Sequence, residues 1–221
     1  MKKLFALLLT AMLCLPLAAC GDATDTSSDK SQNIVGGWTT PESPVVSKEV
    51  KDVLAKATEK LTGATYEPVA YLGSQVVAGT NHLILCKMTP TTKDAESTYA
   101  IVTVYEDLEG NAEITGILNS KAKVMVTDVD IDGGWIAPET PEVTHEAGEA
   151  LLAASEKSTK GSFEPVVLLG TQVVAGTNYS MLCEITPLEE NAETYYAVVT
   201  VYQGADGTTS VLETIEFTAA E

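Results

Sequence analysis

The sequence predicts an α+β protein of two tandem small domains, each with one helix packed on a four- to five-stranded antiparallel sheet. Three observations carry that expectation. First, the chain is written twice. Gly36-Gly37-Trp38 recurs as Gly133-Gly134-Trp135, and Gln75-Val76-Val77-Ala78-Gly79-Thr80-Asn81 as Gln172-Val173-Val174-Ala175-Gly176-Thr177-Asn178. Cys86 recurs as Cys183, and Val102-Thr103-Val104-Tyr105 as Val199-Thr200-Val201-Tyr202. Every offset is 97, without a gap, and about 38 of the 83 positions from Gly36 to Leu118 equal their partners. That period is longer than the roughly 20–50 residues of a solenoid repeat and suits two copies of a small domain. Second, each copy opens with one helical pattern. Third, four strand-length runs follow it, separated by turn residues.

In chain order, Lys2 and Lys3 precede an apolar run from Leu4 to Leu17. About 14 residues are too few to span a ~30 Å bilayer as a helix. The run ends in Leu17-Ala18-Ala19-Cys20, which resembles the bacterial lipobox. The resemblance implies a lipoprotein signal peptide over 1–19 and lipid on Cys20. It places the protein outside the cytoplasm, anchored to the bacterial cell membrane by lipid rather than by a spanning helix. Residues 20–33 follow as a flexible tether. From Gly21 to Asn33 there is no large apolar side chain to bury, so nothing offsets the entropy of ordering.

The body then reads as 34–119 for the first domain, 120–132 for a linker and 133–221 for the second. In each copy prolines (Pro41, Pro44; Pro138, Pro141) follow the Gly-Gly-Trp segment. Ser47 and Thr144 are suited to cap a helix, because their hydroxyls can accept from the first unpaired N–H groups. Val50, Val53, Leu54, Ala57 and Leu61 fall at helical spacing in the first copy, and Ala147, Ala150, Leu151 and Ala154 in the second. The strand runs of the first copy are Tyr66–Val77, Thr80–Met88, Thr98–Tyr105 and Ala112–Leu118. Gly79 and Gly110 stand between them, where hairpin turns need them.

Composition narrows the function. Acids number 31 and bases 13, all of them Lys, for a formal charge of −18. Such a polyanion repels nucleic acid and anionic lipid, so no nucleic-acid partner is expected. Two His and four Cys leave little for a zinc site or a His-based catalytic dyad. No enzyme activity, cofactor or metal is expected.

Gln-Val-Val-Ala-Gly, twice, each time behind a Gly-Gly pair and a helix, resembles the first hairpin of the cystatins. Gly-Gly-Trp with Pro three residues on is particularly like the plant members, and the absence of disulfides within each copy is plant-like or stefin-like. Cystatins inhibit papain-like cysteine proteases. The resemblance implies non-covalent occlusion of the protease cleft by a wedge of three parts, with a papain-like protease as partner and the inhibitor a monomer. In the first copy Ile34, Val35, Gly36 and Gly37 form the trunk, Gln75, Val76, Val77, Ala78 and Gly79 the hairpin, and Leu108 the second loop. In the second copy the parts are Gly133 and Gly134 with Gln172, Val173, Val174, Ala175 and Gly176. The second loop departs from the family's usual Pro-Trp: it offers Asp107-Leu108 in one copy and Gly204-Ala205 in the other. The alternative is a non-inhibitory cystatin-like protein-binding or adhesion module, since a fold does not fix a function.

Other patterns are weaker. Asp128-x-Asp130-x-Asp132-Gly133 with Glu139 has the spacing of a calcium loop, but Lys123–Thr127 reads as a strand rather than an entering helix, and Pro138 crowds Glu139. Cys86 and Cys183 read as buried free thiols. His82 reads as a strand-surface or wedge-edge residue and His145 as solvated. Like charges on the two copies argue against tight packing between them.

Overall fold

Two short helices and ten strands account for most of the computed structural model, which describes residues 37–126, 133–156 and 158–219. The signal peptide, the tether with Cys20, and Ile34, Val35 and Gly36 lie outside these residues, as do Asp128, Asp130 and Asp132.

The helices are α1 (Lys48–Thr58) and α2 (His145–Ser155). Both start where the sequence predicts: Val50 N–H donates to Ser47 Oγ at 3.3 Å and Ala147 N–H to Thr144 Oγ1 at 3.2 Å. Val50, Val53 and Leu54 are buried on α1, and Ala147, Ala150 and Leu151 on α2. Leu61, expected on the helical stripe, lies beyond the end of α1 and is exposed.

The first copy supplies β1 (Trp38–Thr39), β2 (Ala64–Val77), β3 (Gly79–Pro90), β4 (Thr98–Glu106) and β5 (Ala112–Lys123). The second supplies β6 (Trp135–Ile136), β7 (Ser162–Val174), β8 (Gly176–Thr186), β9 (Tyr195–Gly204) and β10 (Thr209–Ala219). Thus Ser120 to Lys123, expected in the linker, are strand. Neighbouring strands are antiparallel throughout, in the order β1-β2-β3-β4-β5-β10-β9-β8-β7-β6.

That order overturns the expectation of two tandem cystatin-like domains, each one helix packed on its own four- to five-stranded sheet. The chain forms one ten-stranded sheet, closed at the centre by β5 and β10, where Leu118, Asn119 and Ser120 face Ala219, Thr218 and Phe217. The reason lies in the strand interiors, which are apolar on both faces. Successive side chains on a strand point to opposite sides, so one helix can cover only one of them. Toward α1 point Ile84, Cys86, Ala100, Val102 and Val104; α2 covers Met181, Cys183, Ile185, Ala197, Val199 and Val201. The opposite face of the first copy (Ala70, Leu72, Leu85, Tyr99, Ile101, Ala122) packs directly on that of the second (Val167, Leu169, Leu182, Val198, Phe217). The sheet therefore curls until its two helix-free halves meet, and the described residues form one compact unit.

The expected repulsion between copies does not prevent this. Among the described residues no charged side chain is buried; the buried polar ones are Ser120, Ser180 and Thr200. Exposed acids separated by more than the Debye length of about 8 Å in physiological salt are largely screened from one another.

Cys86 and Cys183 are free and buried, each beneath its own helix. Burial pushes both thiols up to about 12, with the charge of Glu164 adding to the effect on Cys183. The thiolate is the reactive species. Neither Cys should therefore react with a disulfide reagent at pH 8 in the folded body, and both should react at once in denaturant. Rapid native labelling, followed by mass, would contradict this packing.

Candidate functional site

The two-residue strand β1 lies against the last residues of β2, with Trp38 opposite Gln75 and Thr39 opposite Ser74. Gly37, the one residue of the first trunk among the described residues, directly precedes this strand. Gly73 allows the approach: a Cβ there would stand 3.1 Å from the Thr39 carbonyl oxygen and 3.6 Å from the Trp38 ring.

The β2–β3 hairpin is as tight as a hairpin can be. Val77 pairs with Gly79, Val76 with Thr80 and Gln75 with Asn81, leaving Ala78 alone at the tip. Gly79 has φ +133°, a region open to glycine and strained for other residues. Two side chains hold the tip. Asn81 Nδ2 donates to Gln75 Oε1 at 2.8 Å across the hairpin, and Tyr105 Oη donates to the Ala78 carbonyl at 2.6 Å from β4.

The second loop stands beside the tip, because Thr80 of β3 pairs with Glu106 at the end of β4. Asp107 organises it by accepting from Glu109 N–H at 2.8 Å, Asn111 N–H at 2.9 Å and Asn111 Nδ2 at 2.8 Å. The Asn111 side chain, then its N–H, hold the Asp107 carboxyl below the usual Asp range. A lowered value means that the ionised form favours the folded turn. That contribution is present above the ordinary Asp pKa and fades as pH falls through the depressed one. The turn holds Leu108 out in water, 86% exposed. With Trp38 (50%), Val76 (59%) and Val77 (42%), it makes a discontinuous apolar edge at one end of the sheet.

The second copy repeats the build. Trp135 lies opposite Gln172, Val174 pairs with Gly176, and Gly176 has φ +138°. Asn178 Nδ2 donates to Gln172 Oε1 at 2.8 Å and Tyr202 Oη to the Ala175 carbonyl at 2.6 Å. Gln172 Nε2 also donates to the Gly133 carbonyl at 2.8 Å, so this one side chain ties trunk to hairpin. Two features differ: Trp135 is only partly exposed where Trp38 is exposed, and the second loop has another build. Asp206 accepts from the Thr208 hydroxyl at 2.7 Å, which with the Thr208 N–H keeps its carboxyl low, but the exposed residue is Ala205.

The structure brings together Gly37, Gln75 to Gly79 and Leu108 in one copy, and Gly133, Gly134 and Gln172 to Gly176 in the other. Sequence reasoning missed Tyr105 and Tyr202, which clamp the tips, and the Trp38 ring as part of the apolar edge. The signal was present: each residue recurs in both copies. His82 is not on the strand surface. Its side chain is only 12% exposed, Nδ1 lies 3.0 Å from Tyr71 Oη, and Nε2 lies 3.5 Å from Glu106 without a hydrogen bond. His145 is exposed in the first turn of α2.

No protein-family model matches the chain, and no curated protein matches it.

Proposed function

We propose that the chain inhibits papain-like cysteine proteases by inserting its first hairpin, Val76 to Gly79, into the active-site cleft. The trunk at Gly37 and Trp38 lies on one side of that hairpin and Leu108 on the other. One observation carries the reading: an apolar tip narrowed to a single residue, held from behind by Tyr105, with unpaired apolar side chains on each flank. A cleft accepts a rigid, narrow, apolar edge with little loss of conformational entropy. Occlusion requires no chemistry of the inhibitor, so no enzyme activity is proposed. The same reading places the protein at the bacterial surface, anchored through lipid on Cys20. Mass spectrometry finding an unmodified mature N-terminus would remove the anchor.

The soluble body, residues 33–221, should inhibit papain in the nanomolar range. No inhibition at tens of micromolar would favour the rival reading, a non-inhibitory protein-binding module, which Ala205 in place of an apolar loop residue supports.

The first copy should be the tighter. Asp132 precedes Gly133-Gly134 where Val35 precedes Gly36-Gly37, and an ionised carboxylate enters an apolar subsite at a cost of several kcal/mol. Leu108 against Ala205 adds about 1.5–2 kcal/mol on transfer free energy, hence at least tenfold in affinity. In the intact body, Val76→Asp should therefore raise the inhibition constant at least tenfold more than Val173→Asp. Equal effects would show that these two differences carry little.

A further inference from the structure

The central ladder fixes where the two tips lie. β5 begins just after the loop beside the first tip, since Thr80 pairs with Glu106 and Glu106 with Ala112. β10 begins just after the loop beside the second tip, since Thr177 pairs with Gln203 and Gln203 with Thr209. β5 and β10 are antiparallel, with Asn119 opposite Thr218. Their starting ends, and with them the two tips, therefore lie at opposite ends of the ladder.

The separation is large. Seven steps lead from Ala112 to Asn119 and nine from Thr218 back to Thr209. At ~3.3 Å per residue, less some bending, the starts of the two strands stand roughly 50 Å apart along the ladder. A globular protease of about 200 residues has a radius of gyration near 16 Å and is roughly 40 Å across. A protease seated on one tip then leaves the other tip clear. The apolar cluster shared by the two halves holds this arrangement in place.

We infer that the two hairpin ends are separate sites filled at the same time, so that one chain holds two molecules of a papain-like protease. This rests on the inhibitory reading above. The second site is a built site and not only a repeated motif. Its tip has the same one-residue turn, the same Tyr clamp at 2.6 Å, the same Asn-to-Gln bond at 2.8 Å and the same positive φ at Gly176. Val173 and Val174 stand exposed at it as Val76 and Val77 do at the first. Its weaker loop alters its affinity and leaves its access unchanged.

The test is the mass of the complex formed by residues 33–221 with papain at tens of micromolar, by light scattering after size separation. The wild-type body should take two papain molecules. The double variant Val173→Asp/Val174→Asp should take one, and Val76→Asp/Val77→Asp should also take one, with weaker inhibition. These side chains are exposed, so an unchanged thermal transition certifies that each variant is folded. A wild-type body that inhibits papain yet saturates at one, and loses it with the Val76/Val77 variant, overturns the two-site inference and leaves the inhibitory reading standing. A wild-type body that does not inhibit overturns both.

Discussion

Expressed separately, residues 33–126 and 133–221 should not be folded monomers. Separation strips the second half from Leu72, Leu85, Tyr99 and Ile101, which are buried in the cluster the two halves share. Burying a large apolar side chain is worth about 1.5–3 kcal/mol, so four of them represent roughly 6–12 kcal/mol. That is comparable to the whole stability of an ordinary domain, about 5–15 kcal/mol. Each half should aggregate, remain expanded, or hide its face against a second copy of itself. Sedimentation and near-ultraviolet circular dichroism distinguish these from a native monomer. A monomeric half with a cooperative thermal transition would show that the shared cluster is dispensable. In the intact body, Leu85→Ala should lower stability by about 2–5 kcal/mol. The two halves should still melt in a single transition.

Gly79→Ala should be far more damaging than Gly63→Ala. Both glycines have positive φ, +133° and +101°, so both substitutions meet backbone strain. Strain of that kind costs about 1–3 kcal/mol. They differ in space. A Cβ at Gly63 meets nothing within 4 Å, whereas one at Gly79 would fall 2.3 Å from the Glu106 carbonyl oxygen and 2.8 Å from the Tyr105 ring. Backbone cannot swing aside as a side chain can, so the tip must shift and Tyr105 must release the Ala78 carbonyl. Overpacking adds about 1–3 kcal/mol to the strain. A loss of about 2–6 kcal/mol would lower the melting temperature of a body of this size by roughly 4–24 °C. Inhibition of papain should fall at least 100-fold, because the tip is the inserted part. Equal losses for the two variants would show that φ alone sets the cost and that the tip has room to spare.

The local structure was legible because it depends on neighbours in sequence. Ser47 and Thr144 cap their helices through N–H groups three residues away, and Gly79 closes its hairpin by its own φ. The candidate site was half legible for the same reason. Gln75 to Gly79 lie on one hairpin, while Tyr105, which holds the tip, comes from a strand 27 residues on. Nothing local in Val-Thr-Val-Tyr says which carbonyl its hydroxyl will reach.

One clue to the larger architecture stands in the strands. Leu83-Ile84-Leu85-Cys86 and Ala100-Ile101-Val102 are apolar at consecutive positions, which a sheet with one wet face does not need. Their alternation places Ile84, Cys86, Ala100 and Val102 under α1, leaving Leu85 and Ile101 in need of a second cover.

The sequence by itself determined the repeat, both helices with their caps, the strand runs and the residues of both tips, because each follows from spacing, capping chemistry or turn geometry. Only the tertiary structure decided that the copies share one sheet and one buried face. A helix-free apolar face can be covered by the other copy, by a second chain or by another surface, and all three bury the same side chains at similar free energy. In this fold β5 and β10 pair through their backbone N–H and C=O groups, which satisfies both edges and brings the two bare faces together.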